Sequence, residues 1–145
     1  MRAGSREEGR AMECDEVMLT VRITAGERAL LRRLAQGHRS DVSEVVADGL
    51  LDVLPTLQST ADAYRLLATL SPPAPCAQTV WLPSALADLL VLAAARVAQA
   101  TGVRLGSASA ILGAAVRLWL TQDPQRLAAN LQVMHEGRSA ALAVA

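Results

Sequence analysis

Residues 18–24, Met-Leu-Thr-Val-Arg-Ile-Thr, alternate apolar and polar side chains with a strict period of two. That period belongs to a strand with one buried face. Leu19, Val21 and Ile23 are expected to face a core, with Met18, Thr20, Arg22 and Thr24 on the opposite side. The stretch has an echo, because Thr-Val-Trp-Leu-Pro at 79–83 parallels Thr-Val-Arg-Ile-Thr at 20–24. A helical pattern, a glycine-containing turn and a second helical pattern follow each copy. Each strand-helix-helix unit alone would leave an apolar helix stripe in water, so residues 18–24 and 77–83 are expected to pair antiparallel within one chain.

The helices of the first unit are readable from spacing. Leu30, Leu31 and Leu34 share one face of 25–36, with Glu27, Arg28, Arg32 and Arg33 largely opposite, and Gly37 is the expected stop. Ser40 or Asp41 can cap the next helix, and Glu44 lies three positions beyond Asp41 as a capping box requires. There Val42, Val45, Val46, Gly49, Leu50 and Val53 recur at i, i+3, i+4, i+7, i+8 and i+11. A glycine inside that stripe costs about 1 kcal/mol relative to alanine, which predicts that another helix backbone passes close to Gly49.

Pro55 closes the first unit. Ser59 or Thr60 is expected to start a short helix with Ala63, Leu66, Leu67 and Leu70 along one side, and Ser-Pro-Pro-Ala-Pro at 71–75 to form a stiff extended connection. In the second unit, residues 86–100 carry apolar side chains nearly all round. They predict a covered helix at the centre of the protein rather than a membrane span, being short and interrupted by Asp88 and Arg96. Thr101 and Gly102 end it and Ser107 caps the next. Ala108, Ile111, Leu112, Ala115, Val116 and Trp119 then repeat the earlier six-position stripe 66 residues on. Asp123-Pro124 opens a last helix with Leu127, Leu131 and Met134 on one side, expected to end at Gly137.

Composition narrows the function. The hydrophobic fraction is 52% but the aromatic fraction only 2%, so the core must be aliphatic, which suits closely packed helices. All 14 basic residues are Arg and the formal net charge is zero, so any attraction to nucleic acid must come from a local face. Cys14 and Cys76 stand apart from each other and from His38 and His135, which argues against a zinc site or a disulfide framework. The two thiols and the absence of a signal-peptide pattern lead to the expectation of a cytoplasmic protein. Both histidines fall near predicted helix ends, and Ser40, Ser43, Ser107 and Ser109 are expected to act as caps. With no phosphate loop, metal motif or paired catalytic carboxylates, no enzyme and no cofactor is expected.

The order strand, helix, glycine turn, capped helix resembles the ribbon-helix-helix family of DNA-binding proteins. Thr20-Val-Arg-Ile-Thr and Arg39-Ser-Asp-Val-Ser-Glu-Val within 18–54 carry the resemblance best. It implies a mainly α fold in which tandem ribbon-helix-helix units form an intramolecular pseudo-dimer around a two-stranded antiparallel ribbon, with linker and C-terminal helices added. It also implies that the ribbon enters the major groove of double-stranded DNA while the start of the second helix of each unit holds a phosphate. Carried over residue by residue, Met18, Thr20, Arg22, Thr79 and Trp81 become base contacts, and Arg39, Ser40 and Ser107 phosphate contacts. Asp41, an anion at the clamp, departs from the family pattern. The second unit departs further, with a first helix about seven residues longer and Ala77, Thr79 and Trp81 facing outward, although Trp81 is better read as packed under the middle helix or a partner than as stacked on DNA.

The expected organisation is an arm at 1–16, a first unit at 17–54, a linker with a short helix at 55–76, a second unit at 77–122, a C-terminal helix at 123–137 and a tail at 138–145. The function implied is sequence-specific DNA binding as a transcriptional repressor or a plasmid or phage regulatory or partition factor, with nucleoid association when bound. The alternative is a protein-interaction module, antitoxin-like or structural, that keeps the fold without DNA binding. Candidate protein contacts lie in 1–16 and 124–145, and the C-terminal helix is the candidate site of self-association.

Overall fold

β1 (Glu16–Ile23) and β2 (Cys76–Pro83) pair antiparallel in one two-stranded sheet, with Thr20 opposite Thr79. This comes from a computed structural model that describes residues 15–144, with side chains described as far as Gly137. Among the described residues six α-helices accompany the sheet: α1 (Ala25–Gly37), α2 (Val42–Val53), α3 (Thr60–Ala68), α4 (Ser84–Thr101), α5 (Ala108–Trp119) and α6 (Pro124–Val144). A 3₁₀ turn, Leu54–Thr56, links α2 to α3. The protein is mainly α with one antiparallel ribbon. The arm expected at 1–16 lies outside the described residues as far as 14, while Asp15 and Glu16 belong to the fold. Asp15 accepts the Ser84 backbone N–H (2.9 Å) and hydroxyl (2.7 Å), tying the chain before β1 to the start of α4.

The core follows the expected stripes. Val21, Ile23, Val80 and Leu82 descend from the ribbon onto Val45, Val46, Leu50 and Val53 of α2 and Ile111, Leu112, Ala115 and Val116 of α5, all buried. α5 packs against α2, α4 and β1, and every residue from Ile111 to Leu120 is buried. The centre of the molecule is therefore α5. This corrects the expectation for 86–100: only 17% of α4 is buried, and Leu89, Val91 and Leu92 are about half exposed. Leu86, Leu90 and Val97 are its buried residues, with Ala93 and Ala94 packed partly buried against the core. Leu89, Val91 and Leu92 raise its hydropathy while staying largely uncovered. α4 is long and apolar enough by composition to cross a membrane, but its 18 residues span about 27 Å at 1.5 Å each and one stripe is held by the core. It also exceeds the 13-residue α1 by less than the expected seven residues.

Three local expectations are corrected. Thr24 does not share the outward face of β1 but caps α1, accepting the Glu27 N–H while Glu27 accepts the Thr24 N–H, a complete capping box. α1 ends at Gly37 as expected, but the left-handed residue that closes it is Arg39, at φ 52°, rather than the glycine. There the Arg39 N–H donates to Gln36 O (3.3 Å) and the Ser40 N–H to Ala35 O (2.9 Å), the pair of bonds that closes a helix on a left-handed residue. The C-terminal helix does not stop at Gly137 but continues to Val144, because one glycine costs about 1 kcal/mol and the alanines after it favour helix. The segment expected as a tail at 138–145 is thus helical up to Val144, and His135 lies within the helix rather than near its end.

Beneath α2, Gly49 meets a side chain rather than a helix backbone. A Cβ built there would lie 2.7 Å from two atoms of the Trp119 indole. The Trp119 Nε1–H donates to Asp52 Oδ2 (3.0 Å), which also accepts from Asn130 Nδ2 of α6 (3.1 Å). At α3, Ser59 and Asp62 form a second capping box. Hydrogen bonds from the Gln58 and Ser59 amides hold the Asp62 carboxyl below its ordinary range. The cap therefore stabilises α3 above the ordinary carboxylate range and is lost only as pH falls through that lowered value.

Candidate nucleic-acid interface

Alternation places Glu16, Met18, Thr20 and Arg22 of β1 and Ala77, Thr79, Trp81 and Pro83 of β2 on the exposed side of the ribbon. Across it, Met18 faces Trp81, Thr20 faces Thr79 and Arg22 faces Ala77. The Trp81 backbone N–H points away from β1, donating to Ser43 Oγ at 2.9 Å. Met18 and Trp81 are therefore a non-hydrogen-bonded pair, and so are the pairs two and four positions along, whose side chains stand closer together than those of hydrogen-bonded pairs. Met18 is 57% and Trp81 51% exposed, so Trp81 is not packed under α4 in this chain. Among the described residues Arg22 has no ion pair.

Two features of this face carry no local signal in the sequence. β1 begins two residues earlier than expected, which adds Glu16 to the outward side, opposite Pro83. Arg22 and Glu16 then stand about 20 Å apart at a rise of roughly 3.3 Å per residue, one charge of each sign. Ser43 is not a cap either. Its hydroxyl satisfies the free edge of β2 and fastens the first turn of α2 to the ribbon. No spacing within either unit could have paired residues 38 positions apart.

The two helix starts beside the ribbon differ in charge. At α2, Asp41 Oδ1 accepts the Glu44 N–H (2.8 Å) and Glu44 adds a second carboxylate to the first turn. The Ser40 N–H is already committed to Ala35 O. At α5, Ser107 caps by accepting the Ala110 N–H, and the first turn carries no acidic residue. The α5 start is thus the more favourable of the two for an anion, although its unit departs further from the family pattern. Arg104, exposed, precedes it in the loop after α4.

Arg22, Arg32, Arg33, Arg39 and Arg104 are exposed and Arg28 is half-buried. They come from β1, α1, the α1–α2 junction and the α4–α5 loop, and among the described residues none is in an ion pair. No protein family, curated protein or solved structure matches this chain.

Arg39 is notable for its backbone. A left-handed conformation costs a side-chain-bearing residue about 1–2 kcal/mol, and glycine would adopt it without that penalty. Arg39→Gly should therefore raise stability, by about 0.5–1 kcal/mol after the greater freedom of glycine in the unfolded chain is subtracted. Urea unfolding of the variant checks this, and a loss of stability would mean that the arginine side chain makes contacts that outweigh the strain.

Proposed function

We propose that this protein binds double-stranded DNA by laying the ribbon in the major groove, as a pseudo-dimer of two ribbon-helix-helix units within one chain. The observation that carries the reading is the outward ribbon face, on which Thr20 and Thr79 lie opposite each other beside Arg22, which has no ion pair among the described residues. The 66-residue repeat of the α2 and α5 stripes supports the pseudo-dimer, as does a ribbon centred on the equivalent threonines. A two-stranded ribbon fits the major groove, where a guanidinium can donate two hydrogen bonds to guanine O6 and N7. Thr20 and Thr79 supply single hydrogen bonds or a methyl contact to thymine. Met18 and Trp81 offer apolar contact, so the ribbon reads its two half-sites differently. Arg39, Ser40 and the Ser107 turn flank the groove as phosphate contacts, the last being free of carboxylates. In this role the chain would act as a repressor or as a plasmid or phage regulatory factor.

The test is titration of random duplexes, then of a selected site, at two salt concentrations. Arg22→Ala should lose about 1–3 kcal/mol of base discrimination with the circular dichroism spectrum unchanged, because the side chain is exposed. Glu16→Gln should tighten binding to all duplexes, since it removes an anion from the groove-facing side. Arg39→Gly should weaken binding to all sequences and lower the salt dependence by about one counterion. A second reading, protein recognition through the ribbon, is favoured by the exposed Met18–Trp81 pair and the zero net charge. Wild-type protein without salt-dependent duplex binding, or Arg22→Ala that holds its site unchanged, would leave that reading in its place.

A further inference from the structure

The two helices that follow the strands present different outer faces. α1 shows Arg32, Arg33 and Gln36 to solvent, whereas α4 shows Ala85, Leu89, Val91, Leu92 and Ala95. Leu89, Val91 and Leu92 are 46%, 58% and 58% exposed, a contiguous aliphatic face on a helix of 18 residues. Its charges are two, Asp88 and Arg96, opposite in sign, both exposed and, among the described residues, both without an ion pair.

The two charges are placed symmetrically about the apolar face. Asp88, Leu92 and Arg96 fall at i, i+4 and i+8, a single ridge along the helix, and Leu92 lies midway between the charges in both height and angle. The rows on either side are Ala85, Leu89 and Ala93, and Val91, Ala95 and Gln99, and the alanines leave hollows in both. Two helices packing ridge against groove in the commonest class cross at about −50° and lay such four-residue rows alongside one another. When the two helices are related by a two-fold axis and run antiparallel, Leu92 lies beside its own copy next to the axis, each row seated in the groove along the other. Asp88 of each then faces Arg96 of the other. A face that is self-complementary in charge and apolar between the charges fits a second copy of this chain.

We propose that α4 is the surface through which two copies of this protein associate, antiparallel about a two-fold axis at Leu92. The groove beside it strengthens the case. A cavity of about 410 Å³ lies between α4 and the α2–α3 connection, lined by Leu51, Leu54, Leu89, Leu92 and Arg96 among others. Leu89, Leu92 and Arg96 belong both to its lining and to the exposed face of α4, so a partner helix seated on α4 meets the groove as well as the exposed leucines. α6, the helix expected from sequence to self-associate, has already buried Leu127 and Leu131 within its own chain.

The experiment is sedimentation equilibrium of the full-length chain over a wide concentration range, with circular dichroism as the check of folding. Wild type should be a dimer. Asp88→Arg and Arg96→Asp each place like charges together twice across the axis, and each should raise the dimer dissociation constant by roughly tenfold or more. The double variant Asp88→Arg/Arg96→Asp restores opposite charges in reversed order and should return the constant to near that of wild type. Both side chains are exposed and neither is in an ion pair among the described residues, so folding should be unchanged in all three. A monomer at every concentration overturns the proposal, as does a dimer that both single reversals leave intact or a double variant no tighter than the singles.

Discussion

Replacing Arg117 with alanine should destabilise the chain by about 3 kcal/mol, the lower end of what removing one partner of a buried ion pair costs. Arg117 is a charge inside the most buried helix, its side chain 6% exposed. Its Nε donates to both carboxylate oxygens of Glu27 at 3.1 Å, and one terminal nitrogen donates to Pro72 O at 3.1 Å. Glu27 Oε1 also accepts the Thr24 N–H at 2.7 Å. One guanidinium therefore joins the start of α1, the last turn of α5 and the proline-rich connection. Alanine would leave the Pro72 carbonyl without its donor and Glu27 facing an apolar wall, although Glu27, at 22% exposed, can regain some water, hence the lower estimate. Arg117→Met combined with Glu27→Gln removes both charges while keeping volume and should cost much less than either single change. Equilibrium urea unfolding of the singles and the pair, read as a double-mutant cycle, measures the coupling. Additive losses would mean that the ion pair is incidental.

How much of this could be read from the residues differs by feature. The ribbon was legible because a period of two leaves one assignment of faces, and pairing followed from two units each lacking a partner. The α2 and α5 stripes were legible because they recur at one spacing. α4 was misread because a stripe records which residues are apolar, not whether enough chain remains to cover them. The outward residues of the candidate site followed from alternation, but Glu16 did not, since the strand's first residues carry little pattern of their own. The left-handed backbone of Arg39 was not legible because glycine stands two residues earlier and is the commoner left-handed residue. The Arg117–Glu27 pair joins positions 90 apart, and nothing local in either helix announces the other. A lone charge within the apolar run 108–120 was the available sign that a partner existed.

The packing of Trp119 on Gly49 carries the other large expected effect. The indole is 1% exposed and occupies the space that a side chain at 49 would need, with atoms 2.7 Å from where a Cβ would stand. Trp119→Ala should therefore lose about 3–5 kcal/mol, the range for emptying a buried aromatic site, and would leave Asp52 with Asn130 as its remaining donor at this point. Gly49→Ala should lose about 1–3 kcal/mol for the opposite reason, overpacking. The indole is rigid, held by Asp52 at one edge, and cannot retreat by a rotamer change alone. If one contact is the cause of both losses, the double variant Gly49→Ala/Trp119→Ala should be more stable than the sum of the singles predicts. Once the indole is gone, the methyl group at 49 fills part of the cavity and regains its helix propensity of about 1 kcal/mol over glycine. Thermal and urea unfolding of the three variants measure that coupling. Gly49→Ala as stable as wild type, or losses that add without interaction, would show that the glycine is there for some reason other than the tryptophan.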